Sequence, residues 1–392
     1  MSSRPEALRA AIIGVGFAGA THAEALARIP GVELAAVVAS SPESARAAGA
    51  RLRVERAEHD YRTVLADPSI DVVHNCTPND LHAEINHAVL ESGKHLVAEK
   101  PLATTVAEAA ALVEAARAHP VISAVCFNYR YYPLVRELRA LLASGDYGRP
   151  HLVHGGYLQD WLLHETDWNW RVDAAQGGPS RAVADIGAHW LDLAEFVLQD
   201  RIVGVTAKLG RLHDTRRRQG EVQTFARSAT GGAEIAVATE DIACVLLEFA
   251  SGCLGSVVVS QVSAGRKNKL HVNVDAATAG FAWDQEDPNV LWIGYRDRAN
   301  EELPRDPALL GPDAARLAHY PGGHQEGWAD TFKNLLLDVY ATVEAHRSGS
   351  TRDGSFASFA DAHHSALMVD AILASNRENR PVEVAATREA VA

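Results

Sequence analysis

A lysine between a glutamate and a proline, Glu99-Lys100-Pro101, follows the apolar run 95–98. The residue before a proline is pushed out of the α region into extended geometry, so we expect Lys100 to end a strand. In an open parallel sheet, ligands bind just beyond the carboxyl ends of the strands. The Lys100 ammonium is therefore a candidate for polarising a bound group, although the same tripeptide is common in solvated turns.

A second set of candidate residues, Asp185 and His189, follows the glycine-rich stretch 177–178. Residues four apart share one face of a helix, and a carboxylate beside an imidazole holds its tautomer and stabilises the imidazolium. Such a pair can act as a general acid and base for an alcohol proton. A capping aspartate beside a packed histidine explains the spacing equally simply, and the spacing alone slightly favours that structural interpretation.

The first element that must position these groups is a glycine loop. The apolar run 8–13 leads into GVGFAG (14–19) and then into an alanine-rich helical pattern. G-x-G-x-x-G between a strand and a helix predicts a dinucleotide site, in which the glycines allow a tight turn, close approach of a pyrophosphate and helix–strand packing. The helix amino terminus offers N–H donors to the phosphates. The predicted phosphate-binding residues are Gly14, Gly16, Phe17, Ala18 and Gly19.

The residues that follow the second apolar run, 33–38, bear on the choice between NAD and NADP. NAD enzymes usually place an acid here on the ribose 2′-hydroxyl. This sequence has Ser40 and Ser41 instead, and serine hydroxyls can bind either a 2′-hydroxyl or a 2′-phosphate. We predict NAD(P) as the cofactor, with NAD slightly favoured.

Strand–helix alternation predicts a Rossmann domain over residues 1–128. Apolar runs at 8–13, 33–38, 71–76, 95–98 and 121–127 alternate with helical patterns, which indicates a right-handed doubly wound parallel sheet.

From residue 129 onward the pattern changes to an α+β domain that we predict to span 129–392. After a helix over 129–142, strands are expected at 151–157, 202–209, 235–249, 253–261, 270–274, 280–283 and 290–295. Their period-two alternation predicts an open, mostly antiparallel sheet flanked by helices. The segment 211–221, with three consecutive arginines at 216–218, is expected to be a loop with a solvated tip.

Composition limits the classes of partner. Lys and Arg total 37 against 50 Asp and Glu among 392 residues, so the formal net charge of −13 argues against nucleic acid and anionic membranes. Four scattered cysteines show no metal-ligand spacing, and no apolar run approaches the roughly 20 residues of a membrane span. We expect a cytoplasmic protein with no structural metal.

Four motifs together resemble the glucose-fructose oxidoreductase / inositol dehydrogenase (Gfo/Idh/MocA) family: GVGFAG (14–19), NCTPNDLH (75–82), GKHLVAEKPLA (93–103) and CFNYRYYP (126–133). The resemblance implies that the family's catalytic D-x-G-x-H lies at 185–189 and that Pro101 is a candidate for a cis peptide. It also implies a homodimer or homotetramer formed through one face of the carboxyl-terminal sheet.

The resemblance further implies the residues of each part of the site. The catalytic set is Lys100, Asp185 and His189. The implied cofactor residues beyond the glycine loop and the serines are Thr77, Pro78, Asn79, His82, Glu99, Lys100, Asn128, Trp170 and Arg171. The implied substrate residues are Lys100, Tyr129, Arg130, His164, Asp185, His189 and His324.

The segment 160–171 combines tryptophans with Asp, Asn and His. Aromatic faces beside such polar groups are the usual means of binding a sugar ring, although tryptophans that fill a core explain the segment equally well. The principal hypothesis is an NAD(P)-dependent dehydrogenase for a secondary alcohol of a pyranose, an anhydrosugar or a cyclic polyol.

Two alternatives remain open from the sequence. An NAD-dependent glycosidase would oxidise a glycoside transiently, anionic glycosides included, eliminate the aglycone, add water and reduce the product. It needs a base for a C–H proton, for which Tyr129, His164 or Asp167 could serve. The second alternative is a non-catalytic protein that senses the nicotinamide cofactor. Such a sensor would be expected to have lost part of the Lys/Asp/His set.

Overall fold

Two sheets organise the chain, each in its own unit of the computed structural model, which describes residues 7–218 and 232–385. One unit comprises Met1–Phe127 and Phe332–His363, and the other comprises Asn128–Thr331 and His364–Ala392. The division after Phe127 lies one residue before the predicted boundary. The predicted second domain, 129–392, differs from the observed unit because Phe332–His363 belongs to the first unit.

The first unit contains a six-stranded parallel sheet with the order β3-β2-β1-β4-β5-β6. The strands are β1 (Leu8–Ile13), β2 (Val32–Val38), β3 (Arg56–Glu58), β4 (Val72–Asn75), β5 (His95–Ala98) and β6 (Ser123–Val125). The helices are α1 (Phe17–Leu26), α2 (Pro42–Leu52), α3 (Tyr61–Leu65), α4 (His82–Glu91) and α5 (Val106–Ala118). Edge strand β3 was not predicted, because its three residues include two charged side chains and no apolar run.

The strand order of this sheet reverses between β1 and β4, which are hydrogen-bonded neighbours. In the register, Ile13 lies opposite Asn75, and Asn75 lies opposite Ala98. The segments that follow β1, β4 and β5 therefore leave the sheet side by side at its carboxyl edge, where doubly wound folds bind ligands.

The second unit contains a nine-stranded sheet with the order β16-β15-β14-β13-β7-β12-β11-β8-β17, together with a two-stranded sheet of β9 and β10. All neighbours are antiparallel except β7 and β12. The strands are β7 (Pro150–Leu158), β8 (Ile202–Gly210), β9 (Thr215–Arg218), β10 (Ala233–Ala236), β11 (Ile242–Phe249), β12 (Leu254–Ser260), β13 (Lys269–Ala276), β14 (Gly280–Asp284), β15 (Val290–Gly294), β16 (Glu301–Pro304) and β17 (Val382–Glu383).

The remaining helices are α6 (Pro133–Ala143), α7 (Ala174–Gly177), α8 (Ala188–Leu198), α9 (Pro312–Ala315), α10 (Trp328–Arg347) and α11 (Phe359–Glu378). Helices α10 and α11 each contribute residues to both units. The fold class is confirmed for both sheets. No helix in the described part of the chain is long and apolar enough to cross a membrane.

Residues 332–363 join the first unit through specific packing. The Phe332 ring meets the His22 ring edge-on at 5.5 Å, the Tyr340 hydroxyl lies 2.8 Å from His74 Nε2, and Ala357 forms a β-bridge with Val125. A helical pattern indicates that one face is buried but not which sheet buries it. The sequence therefore could not assign this segment.

The predicted strand 235–249 is two strands, because residues 237–241 leave the ladder to reach a buried ion cluster. Asp241 binds the guanidinium groups of Arg181 and Arg216, and all three side chains are fully buried. The prediction of a solvated arginine loop is thus wrong for β9: Arg216 lies in this cluster, whereas Arg217 and Arg218 are exposed. Residues 219–221 of that predicted loop lie outside the described residues.

Replacing Asp241 with Asn should lower the free energy of unfolding by about 3–5 kcal/mol, because two buried guanidinium groups lose their counter-charge. Burial raises the pKa of Asp241, but Arg181, the Leu212 N–H and Arg216 outweigh it and leave the pKa below its ordinary value. A depressed folded-state pKa contributes stability above about pH 4 that is lost as the pH falls through it. The difference between wild type and variant should therefore shrink on acidification.

Denaturant titrations at several pH values measure this difference. The control is Asp214→Asn, since Asp214 is 85% exposed and pairs with Arg211 at the surface. Such a pair is worth about 0–1 kcal/mol. Equal losses in the two variants would contradict the assignment of Asp241 as the structural anion.

Candidate active site

The three glycines of the loop have different surroundings and therefore different roles. A Cβ on Gly14, whose φ is +89°, would lie 2.5 Å from the Cys76 backbone, and one on Gly19 would lie 2.0 Å from the Gly14 carbonyl oxygen. A Cβ on Gly16 would meet nothing within 4 Å. The fold itself therefore requires Gly14 and Gly19, whereas Gly16 keeps open space in front of α1. That space fits a pyrophosphate at a helix amino terminus.

The two serines after β2 have different surroundings. Ser41 is the N-cap of α2, where its hydroxyl accepts the Ser44 N–H at 3.1 Å in a reciprocal capping box. Ser40 is exposed. The local cap engages the Ser41 hydroxyl, so Ser40 is the better candidate of the two for the adenosine ribose.

A buried polar network joins the segments that follow β4 and β5. Asn75 accepts the Thr77 hydroxyl at 2.7 Å and donates to Asn86 at 2.9 Å, and Asn86 donates to the Leu102 carbonyl. His82 lies between the carbonyl oxygens of Thr77, 2.9 Å from Nε2, and Pro101, 2.6 Å from Nδ1. These contacts give His82 a bridging role between the two segments. The sequence did not indicate Asn75 or Asn86.

Lys100 lies two residues after the end of β5 and is partly exposed. Its N–H donates to Glu99 Oε2 at 3.1 Å, and the Lys100–Pro101 peptide is cis. Pro78 and Asn79 lie at the start of the 3₁₀ turn Asn79–Leu81, across the same carboxyl edge of the sheet. The first unit thus brings the glycine loop, Thr77 to Asn79, and Glu99 with Lys100 to one edge.

In the second unit, residues Val183–Gly187 form a π-helical turn that leads into α8. Isolated π-turns are frequent at functional sites. Glu240 Oε1 fixes the start of this turn by accepting the N–H groups of Arg181 and Val183 and the hydroxyl of Ser180. Asp185 lies inside the π-turn, so the α-helical spacing assumed for Asp185 and His189 does not describe this segment.

Two side chains hold the Asp185 carboxylate. Arg171 Nε donates to Oδ1 at 3.3 Å, and Gln261 Nε2 donates to Oδ2 at 2.9 Å. The Arg171 guanidinium lies 4.3 Å from the centre of the Trp170 ring. Trp170 and Arg171 therefore lie beside Asp185. Their role at the nicotinamide stays a prediction. A single glutamine at a strand end gave no sequence signal for Gln261.

The His189 ring packs against two tyrosines, with its centre 5.0 Å from that of Tyr129 and 6.4 Å from that of Tyr157. Tyr157 donates to Asn268 Oδ1 at 2.7 Å, Asn268 Nδ2 donates to the Tyr129 hydroxyl at 3.1 Å, and the two hydroxyls lie 2.6 Å apart. Because the Tyr157 proton goes to Asn268, Tyr129 must donate to Tyr157, which closes a three-membered ring of hydrogen bonds. Burial raises the pKa of Tyr129 to about 12.

Other predicted residues have structural partners. Arg130 forms a bidentate pair with Asp192 at 2.5 and 2.8 Å, which favours a structural role over substrate binding. Asn128 donates to the Thr331 hydroxyl at 2.8 Å. His164 and His324 are exposed, and Asp167 accepts the His164 N–H at 2.8 Å.

The tryptophans of the aromatic segment 160–171 have different surroundings. Trp168 packs in a small core with Leu162, Val172 and Val237, whereas Trp170 stacks on Arg171 beside Asp185. A cavity of about 690 Å³ in the second unit, lined by Tyr147, Tyr295 and Arg298 among others, contains none of the predicted site residues.

A doubly wound parallel sheet with a glycine loop that leaves open space in front of α1 defines a dinucleotide-binding protein. The chain belongs to the Gfo/Idh/MocA family of oxidoreductases. Residues 8–127 match the family model described as an oxidoreductase family with an NAD-binding Rossmann fold, and residues 135–279 match its carboxyl-terminal domain model.

Individual relatives extend the match over nearly the whole chain. A levoglucosan dehydrogenase of Pseudarthrobacter phenanthrenivorans is 30% identical, with 96% of this chain and 98% of the relative covered. A myo-inositol 2-dehydrogenase of Thermotoga maritima is 28% identical over 76% of this chain and 86% of its own. The solved structure of a levoglucosan dehydrogenase with NADH and L-sorbose is 28% identical and has a TM-score of 0.87, with 97% of this chain and 100% of that chain covered.

The contrast between Gly16 and Gly19 can be tested directly. Gly16→Ala should leave the melting temperature close to wild type but weaken NADH binding by at least about tenfold, because the methyl group enters the space kept for a pyrophosphate. Gly19→Ala should cost about 1–3 kcal/mol or more of stability, because its methyl group collides with the backbone of the loop. Thermal melts and NADH fluorescence titrations separate the two effects. A Gly16 variant that binds NADH normally would remove the loop from the cofactor site.

Proposed function

We propose that this chain is an NAD-dependent dehydrogenase that oxidises a secondary alcohol of a pyranose, an anhydrosugar or a cyclic polyol, and that it works in the cytoplasm. The observation that carries the proposal is the arrangement around the π-turn, where Arg171 and Gln261 hold Asp185 and a hydrogen-bonded tyrosine pair supports His189. The relatives named for levoglucosan and myo-inositol, an anhydrosugar and a cyclic polyol, suggest the substrate class.

In the proposed mechanism His189 accepts the proton of the substrate hydroxyl. The Lys100 ammonium polarises the same oxygen, and the Asp185 carboxylate stabilises the imidazolium that forms. Bound NAD supplies the acceptor for the hydride. The substrate thus loses a proton to His189 and a hydride to the nicotinamide, and it leaves as a ketone.

The glycosidase alternative is less well supported by these contacts. It needs a base for a C–H proton, and a Tyr129 hydroxyl with a pKa of about 12 stays protonated at neutral pH. The Asp167 carboxylate already accepts the backbone N–H of His164. The exposed His164 side chain is thus the remaining candidate base. The sensor alternative is disfavoured because Lys100, Asp185 and His189 are all present.

The deciding experiment follows absorbance at the NADH band with NAD or NADP across free sugars, anhydrosugars, inositols and aryl glycosides. We expect stoichiometric NADH from a free sugar, an anhydrosugar or a polyol, with NAD preferred because no basic residue adjoins Ser40 in the sequence. Aglycone release that requires NAD but gives no net NADH would establish the glycosidase instead. NADH binding without any turnover would favour the sensor.

Variants of the proposed proton-transfer residues complete this experiment. Lys100→Ala and His189→Ala should each lower kcat by about 10²–10⁴-fold while NADH binding is mostly retained. The matched control is His87→Ala, since His87 is exposed on α4, pairs at the surface with Glu91 and has no assigned role in the site, so this variant should be nearly neutral. Full activity of a folded His189 variant would contradict the catalytic assignment.

We also propose that the chain forms a homodimer or homotetramer through the outer face of the nine-stranded sheet. Leu246 and Leu254 are 62% and 59% exposed there, and Val258 and Trp292 are exposed on the same face. An apolar patch of this kind on a sheet usually marks a protein contact.

The assembly can be tested by light scattering after size exclusion. Leu246→Glu combined with Leu254→Asp should reduce the mass from that of a dimer or tetramer to that of a monomer, because charges would have to be buried at the contact. Leu212→Glu, at an exposed leucine after β8, is the control and should leave the mass unchanged. A wild-type monomer at micromolar concentration would contradict the proposal.

A further inference from the structure

Four polar side chains of the first unit form a continuous chain that ends beside Lys100. Tyr340 Oη lies 2.8 Å from His74 Nε2, His74 Nδ1 lies 2.8 Å from His22 Nδ1, and His22 Nε2 lies 3.1 Å from Glu99 Oε1. Both histidines are fully buried. Polar groups this deep must be paired, so the direction of each hydrogen bond can be worked out.

The contact between the two Nδ1 atoms contains one hydrogen, so one imidazole donates and the other accepts. Burial and then His22 lower the pKa of His74 well below its ordinary value, so His74 is neutral and carries a single N–H. If that N–H were on Nε2, the buried Tyr340 hydroxyl would need another acceptor, and the described contacts of Tyr340 include none. Tyr340 therefore donates to His74 Nε2, and His74 Nδ1–H donates to His22.

The direction of the remaining bonds follows. His22 Nδ1 accepts from His74, so His22 carries its proton on Nε2 and donates it to Glu99 Oε1. Glu99 Oε2 accepts the Lys100 N–H. Both carboxylate oxygens thus receive N–H donors, which favours the ionised acid.

The chain cannot carry a proton from one end to the other. A shift along it would protonate Glu99 and leave a phenolate at Tyr340, whose pKa is raised well above its ordinary value, mainly by burial. It therefore acts as a fixed orienting array.

A metal ion is the competing explanation for the end of the array. His22, Glu99 and Cys126 offer three ligand atoms within 4.8 Å of one another. However, burial and then Glu99 raise the pKa of the Cys126 thiol well above its ordinary value, whereas a metal ligand must be a thiolate. The contact of 3.1 Å between His22 and Glu99 is also that of a hydrogen bond.

We propose that Tyr340, His74 and His22 are positioning residues for the cofactor. They hold the Glu99 carboxylate in one orientation, as an acceptor for the hydroxyl groups of the ribose next to the nicotinamide. The inference rests on the proposed role of Glu99 in dinucleotide binding, but not on the identity of the sugar or polyol substrate.

A double-mutant cycle on NADH affinity tests the proposal without any turnover. Tyr340→Phe should weaken NADH binding by about three- to tenfold, the effect of losing one buried hydrogen bond. Glu99→Gln should weaken it further, and the double variant should bind no more weakly than Glu99→Gln alone, since Tyr340 acts through Glu99. The control is Tyr61→Phe, which removes an exposed hydrogen bond to Glu84 in the same unit and should change nothing.

Nitrogen NMR of histidine-labelled wild-type protein gives a second readout that needs no variant to fold. We expect the Nε2–H tautomer for His22 and the Nδ1–H tautomer for His74. The opposite tautomers, independent effects of Tyr340→Phe and Glu99→Gln, or stoichiometric zinc that is lost in Cys126→Ser would each overturn the proposal. If the cycle and the tautomers agree but no sugar or polyol is oxidised, only the proposed substrate class fails.

Discussion

The alignment of β1, β4 and β5 in one parallel sheet is the constraint on which the dinucleotide side of the site depends. Because Ile13, Asn75 and Ala98 lie in one register row, the glycine loop, Thr77 and Glu99 must leave the sheet together. These strand ends are buried, so every polar group there needs a partner. Asn75, Asn86 and His82 supply those partners, and the same bonds fix the segment that carries Lys100.

In the second unit, buried carboxylates supply the partners for buried polar groups. Its candidate site is built on a π-turn, which leaves N–H groups at its start to be satisfied. Glu240 reaches this start from the segment between β10 and β11. In the same segment Asp241 forms ion pairs with two buried arginines. The segment that interrupts the predicted strand 235–249 thus carries Glu240, which anchors the turn that contains Asp185.

The sequence predicts well what neighbouring residues determine. The glycine loop, the placement of Lys100 after a strand and most strands and helices follow from local spacing and periodicity. It does not predict partners that come from distant parts of the chain: Gln261 on Asp185, Asn268 on the tyrosine pair, or Tyr340 on His74. It also cannot distinguish an α-turn from a π-turn, because the difference depends on where Glu240 caps the segment.

Burial explains why the arginines were the hardest residues to assign. Arg130 forms a nearly buried ion pair with Asp192, and Arg216 forms a buried pair with Asp241. An unpaired guanidinium could not persist at such depth, so these two arginines stabilise the fold. Arg171 and Asp185 keep 22% and 17% exposure, so their charges remain accessible to a ligand. In sequence Arg130 and Arg171 both adjoin aromatic residues, whereas Arg216 begins a run of three arginines, and neither setting reveals the role of the arginine. Only the partner and the remaining exposure separate a structural cation from one that can take part in chemistry.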